Sequence, residues 1–399
     1  MKSPLIIDRY GGRSSVGRAP VCGTGCRGFE SHRSPQMKSL FQKYKKFYKR
    51  NERYVTGGAL LFGFILDNFT LTRIDLQFDN IVLFTYLAIA FFAILFINFY
   101  EEGLLKSAFF EKVRFISPLA MQFAFGGLFS GFVIFYTRSA SLITSWPFIL
   151  MLVVLLIGNE FFKKKYARFT FRMSIFFIAL FSFLIFYIPV VTGSINASMF
   201  VLSGVISLVL IILLIRFFKF FIPVRIKKSK NALTWSIGGI FILINVFYFT
   251  NIIPPIPLSL KEASAHYYIE RTTDNNYLAI SEVEKWYDFL IPNNTVYVSS
   301  GEPVYVFSSV FAPTKLNTEI FHKWQYYDEE KEGWIESNKI GFNISGGRDG
   351  GYRGYTVKSN VPIGLWRVDV VTKRNQLLGR VKFTATEVDR EVDLEIKTL

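Results

Sequence analysis

Seven apolar segments, each close to the length of a membrane-spanning helix, constrain the fold of this 399-residue chain more than any other feature. A hydrocarbon core about 30 Å thick needs roughly 20 consecutive apolar residues in a helix. Short polar loops separate the segments, which cover residues 55–72, 80–100, 115–136, 146–162, 173–191, 197–219 and 232–254. They predict an α-helical transmembrane bundle of about seven helices over residues 55–254, with the lipid bilayer as its partner.

The Lys and Arg residues of the short loops indicate the orientation of this bundle. Of these cations, 21 fall on one side of the alternating segments, and only Arg73 and Arg138 fall on the other. Cytoplasmic loops carry the excess of Lys and Arg. We therefore expect a cytoplasmic N-terminus in a bacterial inner membrane and an extracytoplasmic chain after Pro254. The net charge of +16 lies mainly among the apolar segments, which argues against nucleic-acid binding.

The first 36 residues have a different character from the rest of the chain. They lack the apolar core of a signal peptide, and Arg13–Pro35 resembles the translation of a transfer-RNA gene. We therefore expect translation to begin at Met37, with a basic cytoplasmic segment over 37–54. Both cysteines, Cys22 and Cys26, lie in this head, so thiol catalysis is not expected, and the sequence predicts neither a metal site nor a cofactor.

Polar side chains inside the apolar segments are the first candidates for function, because each costs free energy in a bilayer unless it is paired or hydrated. Asp67 and Arg138 lie near the predicted outer ends of the first and third segments, where they could pair. The other candidates for an intramembrane polar site are Asn68, Gln122, Asn159 and Glu160. Helix packing and a pathway for a substrate or an ion are both open interpretations of this set.

The last part of the chain, residues 255–399, changes to a polar composition of mixed charge. Ser281 and Glu284 form a capping-box pattern, which predicts a short amphipathic helix ahead of Ile291. Beyond it the apolar period is two, in segments over 296–300, 302–311, 320–327, 339–346, 354–360, 365–372 and 379–388, with turn residues between them. Short strands with regular turns predict a mostly antiparallel, immunoglobulin-like β-sandwich.

Two stretches of this part carry a family resemblance. FAPTKLNTEIFHKW and GGRDGGYRGYTVKSNVPIGLWRVDVVTKRNQLLGRVKF resemble the domain of unknown function 2914, a small bacterial domain often attached to a multi-helix membrane region. The similarity covers about residues 310–385, and the apolar half resembles the membrane regions that accompany this domain. The resemblance implies an integral membrane protein that ends in a β-rich domain, and it brings no established activity with it.

Candidate ligand-binding residues in the C-terminal part are aromatic, basic or imidazole side chains. A hydrogen-bonded strand histidine is the better interpretation of His322, because carboxylates would have to complete any zinc site. Alternation along strands predicts that about half of the aromatic residues, which include Tyr326, Tyr327, Trp334 and Tyr352, are core. The candidates are His322, Trp324, Arg348, Arg353, Tyr355, Lys358 and Trp366.

These patterns favour a binding protein over an enzyme. The chain has no nucleophile elbow, phosphate-binding loop or dinucleotide fingerprint. We expect a polytopic inner-membrane protein whose extracytoplasmic β-sandwich binds an envelope glycan, peptide or protein partner without catalysis. The alternative is an intramembrane transporter or transferase that uses Asp67, Arg138 and Glu160.

Overall fold

A computed structural model of the chain describes residues 62–71, 76–139, 141–161, 165, 168–274, 276–283, 295–298, 302–314, 316–348, 350–387 and 392–399. The expectations about the head at 1–36 and the basic segment at 37–54 concern residues outside this set.

The N-terminal half of the described chain is helical. Residues 62–70 form a helical segment. The long helices that follow are α1 (Gln77–Glu101), α2 (Ala108–Ser139), α3 (Leu142–Phe161), α4 (Phe169–Thr192), α5 (Ala197–Phe221) and α6 (Pro223–Phe249). Each of them covers all or most of one of the last six predicted apolar segments.

Five of these helices, α1, α2, α4, α5 and α6, are long and apolar enough to cross a membrane, and α3 holds the shorter apolar stretch Ile143–Asn159. Their inward side chains share one buried cluster. Their outward surface carries large apolar side chains, of which Phe220 and Trp235 are each 82% exposed. A surface of this kind is unfavourable in water and suits contact with lipid.

Glycines in α2 allow α1 to approach closely. A Cβ atom on Gly127 would lie 2.5 Å from the ring of Tyr86, and one on Gly131 would lie 2.7 Å from Leu83 Cδ2. Side chains at these two positions would therefore overlap α1. The small residues of the third apolar segment thus serve helix packing, as is usual between membrane helices.

The C-terminal part forms three β-sheets, here called together the sheet domain. The strands are β1 (Ser259–His266), β2 (Tyr268–Arg271), β3 (Tyr277–Glu282), β4 (Thr295–Val298), β5 (Val304–Phe311), β6 (Asn317–Asp328), β7 (Gly333–Ser345), β8 (Tyr352–Lys358), β9 (Gly364–Thr372), β10 (Leu377–Glu387) and β11 (Leu394–Thr398). The strand orders are β1-β5-β8, β4-β10-β9-β6-β7 and β11-β3-β2. The pairs are antiparallel except β4 with β10, which is parallel.

Strand β5 is buried on both of its faces. Val304 and Val306 share a buried cluster with Trp324 and Trp366 of the five-stranded sheet. Phe307, on the opposite face, shares another cluster with residues of β2 and β3. The sheet that contains β5 therefore lies between the other two.

The structure contains all seven strands predicted from the apolar period, as β4 to β10, and it adds β1, β2, β3 and β11. Ser281, the predicted helix cap, belongs to β3, and the rest of the predicted helix lies in 284–294, outside the described residues. The mostly antiparallel sheets agree with the prediction, whereas the immunoglobulin-like topology stays a prediction.

A three-residue turn at 373–375 connects β9 to β10. The amide of Asn375 donates to the carbonyl of Thr372 at 2.8 Å, and the amide of Thr372 donates to the carbonyl of Gln376 at 3.0 Å. Asn375 has a φ of 60°, the left-handed conformation that closes a three-residue hairpin loop and that asparagine tolerates. The turn predicted at Arg374 and Asn375 is therefore present.

The tip of this hairpin lies on the end of α6. The guanidinium of Arg374 lies 4.0 Å from the ring centre of Tyr248, and the ring of Tyr248 also stacks parallel on Phe200 of α5 at 3.6 Å. The carbonyl of Arg374 accepts a hydrogen bond from Asn251 at 3.3 Å. Residues of α5, α6 and the β9–β10 turn thus meet in a single stack.

A second contact joins the sheet domain to the end of α2. The hydroxyl of Ser139 donates to the carbonyl of Leu258, and the hydroxyl of Ser259 donates to the carbonyl of Arg138 at 2.5 Å. These two hydrogen bonds hold the start of β1 against α2. The sheet domain is thus fixed to the helices at two places besides the covalent connection.

Candidate functional site

The structure gives Arg138 partners other than the predicted Asp67. Its guanidinium donates to the carbonyl of Leu71 at 2.6 Å and to Asn68, at 2.9 Å from the backbone oxygen and 3.2 Å from the side-chain oxygen. Arg138 therefore holds the end of the helical segment 62–70 against α2. The pairing of Arg138 with Asp67 that the sequence allowed is absent from the hydrogen bonds and ion pairs of the described residues.

Two of the predicted intramembrane residues do come together. Gln122 of α2 donates to the carbonyl of Asn159 of α3 at 3.2 Å, and Asn159 donates to the carbonyl of Gln122 at 2.9 Å. This exchange satisfies both amides and supports the packing interpretation of these residues. Glu160 belongs to α3, and its side chain lies outside the described set.

A charged cluster that the sequence did not predict lies at the opposite end of the bundle from the sheet domain. Arg172 of α4 is 1% exposed, and it makes a two-pronged ion pair with Glu101 of α1, both bonds at 2.9 Å. It also donates to Asn98 at 2.8 Å. Arg225 of α6 contacts Glu101 and lies 2.9 Å from Glu102. The sequence signal for this cluster is the adjacent pair Glu101 and Glu102, because the other loops on this side of the bundle are basic.

His322 is part of a buried hydrogen-bonded network. Its Nε2 lies 2.8 Å from the hydroxyl of Ser308, and its Nδ1 lies 2.9 Å from the hydroxyl of Thr356, which also accepts from the indole of Trp324 at 3.1 Å. His322 and Ser308 are both 0% exposed. Burial lowers the pKa of His322 to about 3, so a neutral imidazole fixes three strands together.

The two candidate tryptophans are core residues. Trp324 and Trp366 are 0% and 2% exposed, and the indole of Trp366 donates to the carbonyl of Pro362 at 2.8 Å. Phe383 stacks on Trp366 at 6.4 Å. Neither tryptophan presents a stacking surface to a ligand, so the interpretation of them as binding residues is wrong.

The remaining candidates are spread over the domain. Arg348 is exposed beside Tyr352, whereas Arg353 donates to the carbonyl of Leu399 at 3.0 Å. Tyr355 packs in the aromatic cluster around β3 and β5, and Lys358 donates to Asn338 at 2.6 Å. Burial lowers the pKa of Lys358. These four residues contribute to turns and packing and do not converge on one site.

A group of accessible aromatic and cationic side chains lies on the outer face of the five-stranded sheet. This is the face turned away from the buried cluster of the sheet. Here the Arg367 guanidinium lies 4.4 Å from the ring centre of Trp334. Tyr327 meets Trp334 edge to face at 5.4 Å. Gln325 accepts a hydrogen bond from Arg367 Nε at 2.8 Å. We call Tyr327, Trp334 and Arg367 the aromatic–arginine patch.

Stability should fall in acid because of His322. Burial holds its folded-state pKa near 3, below the unfolded value of 6.5, so the unfolded chain binds the proton first and stability declines between about pH 6.5 and pH 3. One such proton changes the free energy of unfolding by at most about 1.4 kcal/mol per pH unit.

His322→Gln keeps polar groups for both partners and removes the titration. Thermal unfolding of the detergent-solubilised full chain should therefore depend less steeply on pH in this variant than in the wild type. His266→Gln is the comparison, because burial and the nearby Lys397 lower the pKa of His266 only to about 4. Identical slopes for His322→Gln and wild type would contradict a buried neutral His322.

Comparison with known proteins gives one family match, and it lies in the sheet domain. No curated protein matches the chain. Among solved structures, the chain is similar to the Pseudomonas fluorescens alkylpurine DNA glycosylase AlkC bound to DNA containing an abasic site analog, with 10% identity, 79% of this chain and 99% of that chain covered, and a TM-score of 0.19. That score is too low to carry an argument. Residues 317–385, which run from β6 into β10, match the family described as "Protein of unknown function (DUF2914)". This match confirms the resemblance seen in the sequence.

Proposed function

We propose that this chain is a polytopic inner-membrane protein whose extracytoplasmic sheet domain binds an envelope glycan, peptide or protein partner without chemically changing it. In this proposal about seven helices cross the bilayer, the N-terminus is cytoplasmic, and the sheet domain has the sandwich architecture of an immunoglobulin-like module. The helices provide the anchor, and the aromatic–arginine patch provides the binding surface.

One observation carries the proposal: the β9–β10 hairpin belongs to both the patch and the contact with the bundle. Arg367 lies in β9, and Arg374 at the hairpin tip stacks on Tyr248 of α6. The extended strand from Arg367 to Thr372 spans about 17 Å, and the turn that follows it carries Arg374. A ligand held at the patch therefore acts on a strand whose end is fixed to two helices.

The burial of the polar groups supports binding rather than catalysis in the sheet domain. A general base must reach the proton that it removes, and its pKa should lie near the working pH. His322 is 0% exposed and His266 is 5% exposed, with pKa values lowered to about 3 and about 4. Aromatic rings beside an arginine suit recognition of sugars or anionic groups instead.

The orientation has a direct test by enzyme fusion. Alkaline phosphatase, which folds only outside the cytoplasm, should be active when fused after Leu260 and inactive after Lys165 or Lys230. The reason is the cytoplasmic preference of basic loops. Activity after Lys230 would contradict the proposed topology.

Binding at the patch is tested by photo-crosslinking of the full chain in native membranes. A photoreactive phenylalanine derivative at Tyr327 should give an ultraviolet-dependent adduct of defined mass, and Arg367→Ala should reduce the adduct several-fold. The same derivative at Trp235, an exposed position on α6, is the control and should give lipid adducts that Arg367→Ala does not change.

Absence of an adduct at Tyr327 in native cells would contradict the proposed binding surface.

The intramembrane alternative predicts a different result. In that case a well-folded Asp67→Asn protein would lose its cellular phenotype while Arg367→Ala kept it.

A further inference from the structure

Two neighbouring rows of charge on the outer face of the five-stranded sheet differ in how they are neutralised. In the first row, Lys323 lies 2.7 Å from Glu336, and Arg380 makes a two-pronged ion pair with Asp369 at 2.5 and 2.9 Å. Lys323 and Arg380 are both directly opposite Asp369 in the strand register. Lys323, Arg380 and Asp369 therefore each have an opposite charge in contact, and Lys339, opposite Lys323 on β7, donates to Asn375 at 2.7 Å.

The second row, two residues along the strands, places two cations side by side on β9 and β10. Its acid, Glu336 of β7, lies opposite Gln325 and pairs with Lys323 of the first row. Arg367 of β9 lies directly opposite Lys382 of β10, and on its other side it lies opposite Gln325 of β6. Both side chains are on the outer face, because Trp366, Val368 and their neighbours in β10 fill the core. Like charges directly opposite each other destabilise a sheet.

The guanidinium of Arg367 is held in place, but only some of its hydrogen-bond donors have partners among the described residues. Its Nε donates to Gln325 at 2.8 Å, and its plane lies on the ring of Trp334. Among the described residues, the hydrogen bonds and ion pairs of the sheet domain include none from its two terminal nitrogens. Burial and the positive charge of Arg380 lower the pKa of Arg367, and the negative charge of Asp369 opposes this shift in part. The hydrogen bond to Gln325 and the contact with Trp334 orient the guanidinium. Its two terminal nitrogens can then donate a pair of hydrogen bonds to an oxyanion.

The position of Lys382 completes a cationic pair. Its side chain is exposed, and directly opposed residues in an antiparallel pair have Cβ atoms about 5 Å apart. An oxyanion between the two side chains would accept two hydrogen bonds from Arg367 and meet the ammonium group of Lys382. It would also remove the like-charge repulsion that the empty pair carries.

Two aromatic rings lie beside this pair. Trp334 and Tyr327 are both partly exposed and meet edge to face, so they form an apolar border next to Arg367. A ligand that uses both features carries an oxyanion on a body with an apolar face. A sugar ring has such a face, and tryptophan and tyrosine offer a large contact area with a polar edge.

We propose that Arg367, Lys382, Trp334 and Tyr327 form a binding site for an acidic sugar, with the carboxylate or phosphate of the sugar between Arg367 and Lys382. This inference rests on the proposed function, because it names the ligand class of the same surface. All four residues lie within 317–385, the part that matches the family.

Titration of the full chain in nanodiscs with glucuronate and with glucose 6-phosphate tests the site, with tryptophan fluorescence as the readout. Both acidic sugars should bind more tightly than neutral glucose or inorganic phosphate. Arg367→Gln should weaken their binding at least tenfold, and Lys382→Gln about threefold. Lys397→Gln is the matched control on β11, where Lys397 pairs with Glu395, and it should leave binding unchanged.

A second readout is the apparent melting temperature, measured first without sugar and then with glucuronate. Because Lys382 repels Arg367 in the empty site, Lys382→Gln should raise the apparent melting temperature without sugar, and the stabilisation by glucuronate should be larger in wild type than in this variant. An unchanged or lower melting temperature of Lys382→Gln without sugar would contradict the proposed repulsion between Lys382 and Arg367.

Three binding results would overturn the proposal: no binding of either acidic sugar, binding that Arg367→Gln leaves intact, or inorganic phosphate binding as tightly as glucose 6-phosphate. These failures are distinguishable from failure of the proposed function. A Tyr327 adduct that depends on Arg367 would still show a binding surface, but its ligand would then belong to a class other than acidic sugars.

Discussion

The stack of Arg374 on Tyr248, and of Tyr248 on Phe200, determines how the two halves of the described chain are joined. A guanidinium over an aromatic ring contributes about 0.5 to 2 kcal/mol, depending on how far the pair is shielded from water. The parallel ring pair adds apolar contact between α5 and α6. Because Arg374 is at the tip of β9–β10, this contact positions the five-stranded sheet, and the hydrogen bonds between Ser139, Ser259 and their partner carbonyls position β1.

Charge is used differently in the helical and sheet halves. Arg172 is buried where three helices meet, and it pairs with the partly exposed Glu101. Removal of Glu101 would therefore leave a buried cation without its opposite charge. On the sheet surface, Asp369 is likewise paired with Arg380, and Lys323 with Glu336. Arg367 and Lys382 are the contrast, since they face each other without an acid between them. This imbalance is the physical reason for placing ligand binding there.

The sequence predicts most elements but few of the side-chain roles. Helix α5 follows from apolar length, and β9 follows from its alternation around Trp366. The short strand β2 has four residues and no apolar period, so only pairing with β3 defines it. His322 was expected to be a satisfied strand histidine, and its two hydroxyl partners confirm this. The sequence makes Trp324 and Trp366 candidates for binding, because alternation alone does not say which face is inward. The partners of Arg138 and Arg172 come from distant helices, which the sequence does not bring together.

The central claim, that the β9–β10 tip is seated on the end of α6, has a direct measurement in disulfide cross-linking. In a background with Cys22→Ser and Cys26→Ser, the pair Asn251→Cys and Arg374→Cys should form a disulfide rapidly in native membranes, because Asn251 hydrogen-bonds to the backbone of Arg374 at 3.3 Å. The control pair, Asn251→Cys with Glu329→Cys beyond the far end of β6, should stay reduced. Equal oxidation of the two pairs, or none at Arg374→Cys, would show that the sheet domain is not held on the bundle by this hairpin.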